Sequence, residues 1–131
     1  MTELTNRDLV LALWDAFDRF EFEAVADLLH DDFICEWTQS AELIRGRDNF
    51  IAVNKHYPGR WRIHVNRLVD GGDVVVTEIH AVDGDVTNPA ISFFEFADRK
   101  IIKIREFWPD SMEAQSDRAQ WVERLPVSPS T

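Results

Sequence analysis

The second half of the chain contains four stretches in which apolar and polar side chains alternate, separated by short turns. The stretches are RIHVNRLV (62–69), DVVVTEIHAV (73–82), AISFFEF (90–96) and KIIKIREFW (100–108). Alternation with a period of two over such lengths is typical of β-strands. The turns between them are Asp70-Gly71-Gly72-Asp73, Asp83-Gly84-Asp85 and Ala97-Asp98-Arg99-Lys100, whose composition favours tight reversals. The sequence therefore predicts an antiparallel meander.

The first half of the chain instead predicts three helices and one strand. Thr5 and Asp8 have the spacing of a capping box, so helix one begins there and runs to about Phe20 along the apolar stripe Leu9, Leu13 and Phe17. A short second helix is expected from Glu23 to His30, followed by the strand FICEWT (33–38) and a polar turn. Gly46 and Asp48 open a third helix, which must end before Pro58. Three helices before a meander predict an α+β fold, with helices covering one face of a curved antiparallel sheet.

Composition limits the classes of protein to consider. A chain of 131 residues suits one domain, expected over residues 1–125, with residues 126–131 as a flexible tail. The formal net charge of −10 makes nucleic acid and anionic membrane surfaces poor partners. The single cysteine, Cys35, excludes an internal disulfide and favours a reducing compartment. With no apolar run that would suit a signal peptide or a membrane helix, the sequence predicts a cytoplasmic protein.

Each predicted strand offers two rows of side chains, and the less charged row is expected to face inward. These inner rows are Phe33, Cys35, Trp37; Val75, Thr77, Ile79, Ala81; Ser92, Phe94, Phe96; and Ile102, Ile104, Glu106, Trp108. Glu106 is their single carboxylate. Burial would raise its pKa and suit it to general acid or base work, or to holding a polar ligand atom. The alternative is that Glu106 pairs with Arg45, Arg47 or Arg67, or lies at a wet rim.

The outer rows of the same strands have a mixed composition. Their apolar members are too numerous for a face open to water, namely Ile34, Val74, Val76, Phe93, Ile101 and Phe107. Their polar members are too charged for a core, namely Glu36, Glu78, His80, Glu95, Lys103 and Arg105. Such a face predicts a homodimer through the sheet, and the alternative is a monomer with several exposed apolar side chains.

Several segments together resemble one known family. They are LLHDDF, EWTQSAELIRGRDNF, NKHYPGRW, ISFFEF, and IREFWPD followed by RAQWVER. This pattern resembles the SnoaL-like branch of the nuclear transport factor two-like (NTF2-like) superfamily over roughly residues 7–124. The resemblance implies a cone-shaped curved sheet closed by helices, also called a cystatin-like α+β barrel, with a mostly apolar cavity and usually a dimer. Because this fold serves cyclases, isomerases, hydrolases, dehydratases and non-catalytic binding domains, it leaves the activity open.

The family's catalytic residues carry over only in part. The resemblance places the base of ketosteroid isomerases on Trp37, their second acid near Ser92 and their tyrosine near Leu13 or Trp14. The catalytic pair of epoxide hydrolases falls near Ile79 and Ala81. Only the acid of the last strand has a counterpart, Glu106, so both of these activities are disfavoured. Relatives often carry glycine where Arg99 stands, which suggests a local change in that turn because a left-handed arginine costs about 1–2 kcal/mol.

Other candidate residues have a functional and a structural interpretation. The histidines at 30, 56, 64 and 80 have no metal-binding spacing, so no metal is expected, although His64 and His80 can meet as a surface pair on neighbouring strands. No phosphate-binding loop occurs, so no cofactor is expected. Cys35 is either a nucleophile or an inert buried thiol. Trp14, Trp37 and Trp108 either wall a ligand or pack the core, and Tyr57 either orients a ligand or caps a loop.

These features predict a cytoplasmic, dimeric protein that binds a small, mostly apolar organic molecule. If it is an enzyme, we expect cofactor-free acid/base chemistry of the cyclase, isomerase or dehydratase type. Glu106 would move a proton of the substrate, and Tyr57 or Thr77 would place its carbonyl oxygen. Trp37 and Trp108 would hold a ring of the substrate. The remaining predicted ligand contacts are Trp14, Cys35, Ile79, Ser92 and Phe94. The alternatives are a non-catalytic binding or dimeric interaction domain, and a structural dimer whose pocket is filled by its own aromatic side chains.

Overall fold

The structure of the chain is a computed structural model, which describes residues 3–126. Its helices are α1 (Asn6–Asp18), a first 3₁₀ helix (Phe22–Leu28), α2 (Arg47–Lys55) and a second 3₁₀ helix (Ser116–Trp121). Its strands are β1 (Leu29–Trp37), β2 (Glu42–Arg45), β3 (Arg62–Asp70), β4 (Val74–Asp83), β5 (Val86–Ala97) and β6 (Lys100–Phe107). The flexible tail predicted for residues 126–131 lies, beyond Pro126, outside the described residues.

The six strands form one curved, unclosed sheet in the order β2-β1-β6-β5-β4-β3. Strands β3 to β6 make the predicted antiparallel meander, so the expectation of an α+β fold with a curved sheet is confirmed. One pair departs from it, because β1 lies parallel to β6. A hairpin would have forced the two strands antiparallel, but β1 reaches the sheet from the helical segment and is under no such constraint.

Helix α1 covers the inner face of the sheet. The predicted capping box is present, since Thr5 Oγ1 accepts from the Asp8 backbone N–H at 3.1 Å and Asp8 Oδ2 accepts from the Thr5 N–H at 3.0 Å. The stripe Leu9, Leu13 and Phe17 is buried against the core. Burial of such side chains is the main source of stability for a helix of this length.

The predicted second helix is wrong in type and in its end. A 3₁₀ helix occupies Phe22–Leu28, and the chain is extended from Leu29 onward because Leu29 already pairs with Ile101 of β6. The polar turn expected after the first strand contains strand β2, in which only Ile44 is buried. Four residues with one buried side chain are too few to show a period of two. The third helix is confirmed, with Gly46 at its N-cap and Phe50 in the core.

The inner rows are confirmed on β1, β4 and β5 and need one correction on β6. Ile101 is fully buried and Ile102 only partly, the reverse of the prediction. The register between β5 and β6 shifts at this point, so one residue of β6 is inserted as a bulge. A bulge exchanges inward and outward positions, and a strict period of two is wrong beyond it.

The turn between β5 and β6 has the geometry that the arginine was expected to avoid. Asp98 has φ 50° and Arg99 has φ 64°, so both central residues are left-handed, as in a type I′ turn. Two contacts hold it in place: the Arg99 guanidinium binds Glu3, and Asp98 lies 3.1 Å from His30 Nε2. The expected local change in this turn is therefore wrong.

The chain after β6 runs along the surface. It includes the second 3₁₀ helix, and the large apolar side chains of Met112, Trp121 and Leu125 are exposed there. Within residues 3–126, no helix is both long and apolar enough to cross a membrane.

Candidate functional site

Glu106 lies in the middle of the sheet, on the inner face of β6. It is directly opposite Trp37 on the parallel neighbour β1 and opposite Ser92 on the antiparallel neighbour β5. Trp108 follows just after the end of β6, and its indole lies on the same side as Glu106, to which it donates. The sheet thus surrounds one carboxyl group, 4% exposed, with three side chains that carry hydrogen-bond donors.

All three of these side chains donate to the Glu106 carboxyl group. The indole of Trp37 donates to Oε1 at 3.0 Å, and the indole of Trp108 donates a longer bond of 3.4 Å to the same atom. The Ser92 hydroxyl donates to Oε2 at 2.9 Å. The sequence-based alternative, an arginine partner, is wrong: Arg47 pairs with Asp31 and Arg67 lies against Glu78.

Burial raises the pKa of Glu106 above its ordinary value because the charged form loses its hydration. The hydrogen bonds from Ser92, Trp37 and Trp108 oppose that rise, since they stabilise the carboxylate. These donors are neutral, and no ion pair formed within residues 3–126 includes Glu106. The acid is therefore solvated by dipoles alone, without a counter-ion.

A cavity of about 560 Å³ opens beside this acid. This volume lies in the range of sites for small organic molecules. Much of its wall is aromatic: Trp14, Phe17, Phe20, Phe22, Trp37, Tyr57, Trp61 and Trp108. Because the cavity is open space, the interpretation in which the protein's own aromatic side chains fill the pocket is wrong.

Polar side chains are also part of the cavity lining. They are Gln39, Ser40, Glu42, Asn54, Lys55, Arg60, Asn88 and Asp110. Lys55 is neutralised by Glu23, with Nζ and Oε1 2.6 Å apart. The Arg60 guanidinium packs 4.0 Å from the centre of the Phe20 ring. An aromatic wall with charged groups of both signs can receive an apolar body that carries one polar group.

The predicted ligand contacts fall into two groups. Trp14, Trp37, Tyr57 and Trp108 are part of the cavity lining, and the Tyr57 ring stands edge-on to Trp37 with centroids 6.5 Å apart. The others are buried in the core and outside the lining formed by the described residues: Cys35, Thr77, Ile79, Ser92 and Phe94. Glu106 belongs with this second group and lies behind the two indoles that donate to it.

Cys35 lies deep in the sheet and is fully buried. Burial raises the pKa of its thiol strongly, and the neighbouring carboxyl groups of Glu106 and Glu36 raise it further. A thiol in these surroundings stays protonated at neutral pH and is a poor nucleophile. The inert interpretation of Cys35 therefore fits the geometry.

Several residues of the cavity wall were not predicted from the sequence. Phe20 and Phe22 flank the end of α1, and Trp61 precedes β3, where its indole donates to the Pro58 carbonyl at 2.8 Å. Phe20 and Trp61 lie in loops and Phe22 is the first residue of a 3₁₀ helix, so no period in the sequence shows the direction of these side chains. The signal available was composition, since residues 17–22 include three phenylalanines.

None of the four histidines, all within the described residues, is part of the cavity lining. His64 and His80 are opposed on β3 and β4, the surface pair anticipated from the sequence. Across residues 3–126, no three His, Cys, Asp or Glu side chains are grouped closely enough to hold a metal ion.

Comparison with known families gives one match. A family model described as the SnoaL-like domain matches residues 10–104, from within α1 to within β6. Among curated proteins, none matches this chain.

Solved structures similar to this chain share its fold. A Kribbella flavida protein provisionally described as a ketosteroid isomerase is 30% identical, with 91% of this chain and 88% of that chain covered and a TM-score of 0.84. An NTF2-like protein of unknown function from Burkholderia xenovorans is 31% identical, with 92% and 94% covered and a TM-score of 0.76. A provisional SnoaL-like polyketide cyclase from Jannaschia is 22% identical, with 79% and 84% covered and a TM-score of 0.69, which supports the fold alone.

Proposed function

The chain belongs to the SnoaL-like domain family, and from that premise we propose that it binds a small, largely apolar organic molecule in the aromatic cavity. The observation that carries this proposal is the cavity itself, about 560 Å³ with eight aromatic side chains in its lining. Flat apolar walls with a few polar groups are the usual composition of sites for small organic ligands.

Tryptophan fluorescence provides a direct test of binding. Trp14, Trp37, Trp61 and Trp108 line the cavity, so a bound molecule changes their emission. We expect saturable quenching by small aromatic ketones and a matching rise in melting temperature. Replacing Tyr57, which is 54% exposed, by Trp narrows the cavity without disturbing the core and weakens this binding. If no compound of this class shifts either signal, binding in the cavity is rejected.

Glu106 is the group that we assign to acid/base chemistry. Its carboxylate takes a proton from a carbon next to a carbonyl group and returns it, either to that carbon or to another, so no cofactor is consumed. A substrate reaches Oε1 by displacing the longer hydrogen bond, the 3.4 Å contact from Trp108. The Kribbella flavida relative is provisionally an isomerase of this chemical class. By resemblance, Trp37 and Ser92 stand where such isomerases keep acids, and here both donate to Glu106.

Exchange of carbon-bound hydrogen for deuterium tests this chemistry without knowledge of the natural substrate. In deuterium oxide, the protein should catalyse exchange at the carbon beside the carbonyl of a bound aromatic ketone. Glu106→Gln should abolish exchange while changing ligand affinity by less than about tenfold. Exchange at the wild-type rate in this variant would eliminate Glu106 as the base.

One observation favours a second candidate, a binding domain without chemistry. Both Glu106 oxygens already accept hydrogen bonds, and the carboxyl group lies behind the indoles of Trp37 and Trp108. In that case the acid only positions two wall residues. Ligand binding without any exchange would support this candidate.

We also propose a homodimer through the outer face of the sheet. Val74 and Phe93 are each 38% exposed there, and the Phe93 ring packs edge-on to Phe107 with centroids 6.1 Å apart. Arg105 lies over the Phe107 ring, so charge and apolar surface alternate as they do in protein interfaces. The single cysteine needs no oxidising environment, and we therefore assign the protein to the cytoplasm.

A further inference from the structure

The buried carboxyl group of Glu106 lacks a positive partner. Its donors are two indole N–H groups and one hydroxyl, all of them neutral. No lysine, arginine or histidine among residues 3–126 forms an ion pair with it. A carboxylate in such surroundings is stabilised by any cation that comes close, and the open space nearest to it is the cavity.

The two indoles lie between this carboxylate and the cavity. An indole N–H that donates to a carboxylate becomes more polarised, which increases the electron density of its ring. Cations bind to aromatic rings through this density, and tryptophan is the strongest of the aromatic residues in this role. Trp37 and Trp108 both donate to the same oxygen, so one acid acts on two rings of the cavity wall.

Tyr57 adds a third ring. Its plane is perpendicular to Trp37, at 90°, and the two aromatic residues form a corner of the cavity. Perpendicular rings with a carboxylate behind them are the arrangement that receives substituted ammonium groups, whose alkyl surface is apolar and whose charge is diffuse.

Acidic side chains outnumber basic ones among the lining residues that have no ion-pair partner in the described part of the chain. Lys55 is neutralised by Glu23, so Arg60, whose guanidinium packs on Phe20, is the one basic side chain left there. Glu42 and Asp110 also line the cavity, and among the described residues neither forms an ion pair. The whole chain carries a net charge of −10, which raises the local concentration of cations and lowers that of anions.

We propose that the ligand of this cavity is an organic cation, a substituted ammonium group on an apolar body, with its charge held by Trp37, Trp108 and Tyr57. This inference rests on the proposed binding function and names its ligand class. The competing ligands are a neutral apolar molecule and an organic anion that pairs with Arg60.

Three probes of similar size separate these possibilities: benzyltrimethylammonium, its neutral isostere neopentylbenzene, and phenylacetate. We expect benzyltrimethylammonium to bind at least about tenfold more tightly than neopentylbenzene, as measured by tryptophan fluorescence at constant ionic strength. Equal or tighter binding of neopentylbenzene or phenylacetate overturns the cation assignment and leaves the binding function standing. If none of the three binds, the binding function itself is rejected and the assignment with it.

Variants that lack one carboxyl group show which acidic residue is responsible for the preference for a cation. Glu106→Gln should lower the affinity for benzyltrimethylammonium about tenfold and leave neopentylbenzene unchanged, because a Coulombic term acts only on the cation. Glu95→Gln is the matched control, since Glu95 is exposed on the outer face of the sheet and its substitution changes net charge equally. Equal losses in the two variants would assign the effect to overall charge and overturn the proposal.

A second pair of variants avoids the protein core. Tyr57 is 54% exposed, so its substitution does not threaten folding. Tyr57→Leu should weaken benzyltrimethylammonium binding several-fold more than neopentylbenzene binding, and Tyr57→Phe should restore it because the ring is kept. Equal effects on both probes in Tyr57→Leu would argue against a cation–ring contact.

Discussion

The Trp14 indole on α1 donates a hydrogen bond of 3.1 Å to the Thr77 hydroxyl oxygen on β4. The two residues are 3% and 1% exposed, so this bond joins the helix to the sheet inside the core. It also fixes a ring that lines the cavity. Thr77 was expected from the sequence to contact the ligand. It instead affects the cavity indirectly, because it holds the Trp14 ring in place.

Removal of the Thr77 hydroxyl, which accepts the hydrogen bond from Trp14, should destabilise the protein. Thr77→Val keeps the shape of the side chain but leaves the Trp14 N–H buried without a partner, at a cost of about 1–3 kcal/mol in the free energy of unfolding. Thr77→Ser keeps the hydroxyl and should lose less. Urea denaturation measures both. In the background of Trp14→Phe the substitution Thr77→Val should become nearly neutral, and a full loss there would show that the hydrogen bond is not the cause.

Glu106 should make the protein less stable as the pH rises. Its folded-state pKa is raised, so between the ordinary value of 4.5 and that raised value the folded protein holds a proton that the unfolded chain has released. The contribution of Glu106 to the free energy of unfolding therefore falls as the pH rises across that window. In Glu106→Gln, the amide that replaces the carboxyl group does not titrate in this pH range. The stability of this variant relative to the wild type should therefore increase as the pH rises.

Denaturant unfolding of both proteins from pH 4 to pH 8 measures this difference, and the other acidic groups cancel when the two curves are subtracted. Glu95→Gln, an exposed substitution on the outer face, is the control for replacing a carboxyl group by an amide. A difference for Glu106→Gln that changes with pH no more than the difference for Glu95→Gln would mean that Glu106 titrates alike in the folded and unfolded states.

The turn between β5 and β6 offers a stabilising substitution. Arg99 adopts φ 64°, a conformation that costs a residue with a Cβ atom about 1–2 kcal/mol and costs glycine almost nothing. Arg99→Gly should therefore raise the melting temperature even though it removes the exposed contact with Glu3.

Arg99→Ala is the matched control for this prediction, because it removes the contact with Glu3 and keeps the Cβ atom. The glycine variant should exceed the alanine variant in unfolding free energy by about 1 kcal/mol. Equal stability of the two variants would show that the turn relaxes and that the backbone is not strained.

The proposed dimer can be tested with an exposed aromatic residue. Phe93→Glu places a carboxylate opposite Arg105, its cross-strand neighbour, so folding should be retained while the apolar patch is lost. Sedimentation velocity should give twice 15.2 kDa for the wild type and 15.2 kDa for the variant. Leu4→Glu, at a still more exposed position on the N-terminal side of α1, should stay dimeric. A monomeric wild type would reject the interface.

Much of the fold followed from short-range patterns. The capping box of Thr5 and Asp8 and the alternation in β4 and β5 predicted elements whose residues interact with near neighbours in the sequence. The elements predicted poorly are those set by distant residues. The bulge at Ile102 depends on how β6 fits β5, and the early end of the first 3₁₀ helix depends on Leu29 pairing with Ile101.

The same distinction applies to the candidate site. The inward direction of Glu106 followed from the local pattern of β6, because the pleat of a strand assigns each residue to a face whatever lies beside it. Its hydrogen-bond partners depended on how the strands are arranged in the sheet. Trp37 is 69 residues away, and it reaches the carboxyl group only because β1 lies parallel to β6 in this register. Packing of distant elements sets that register, so the acid was predictable but its surroundings were not.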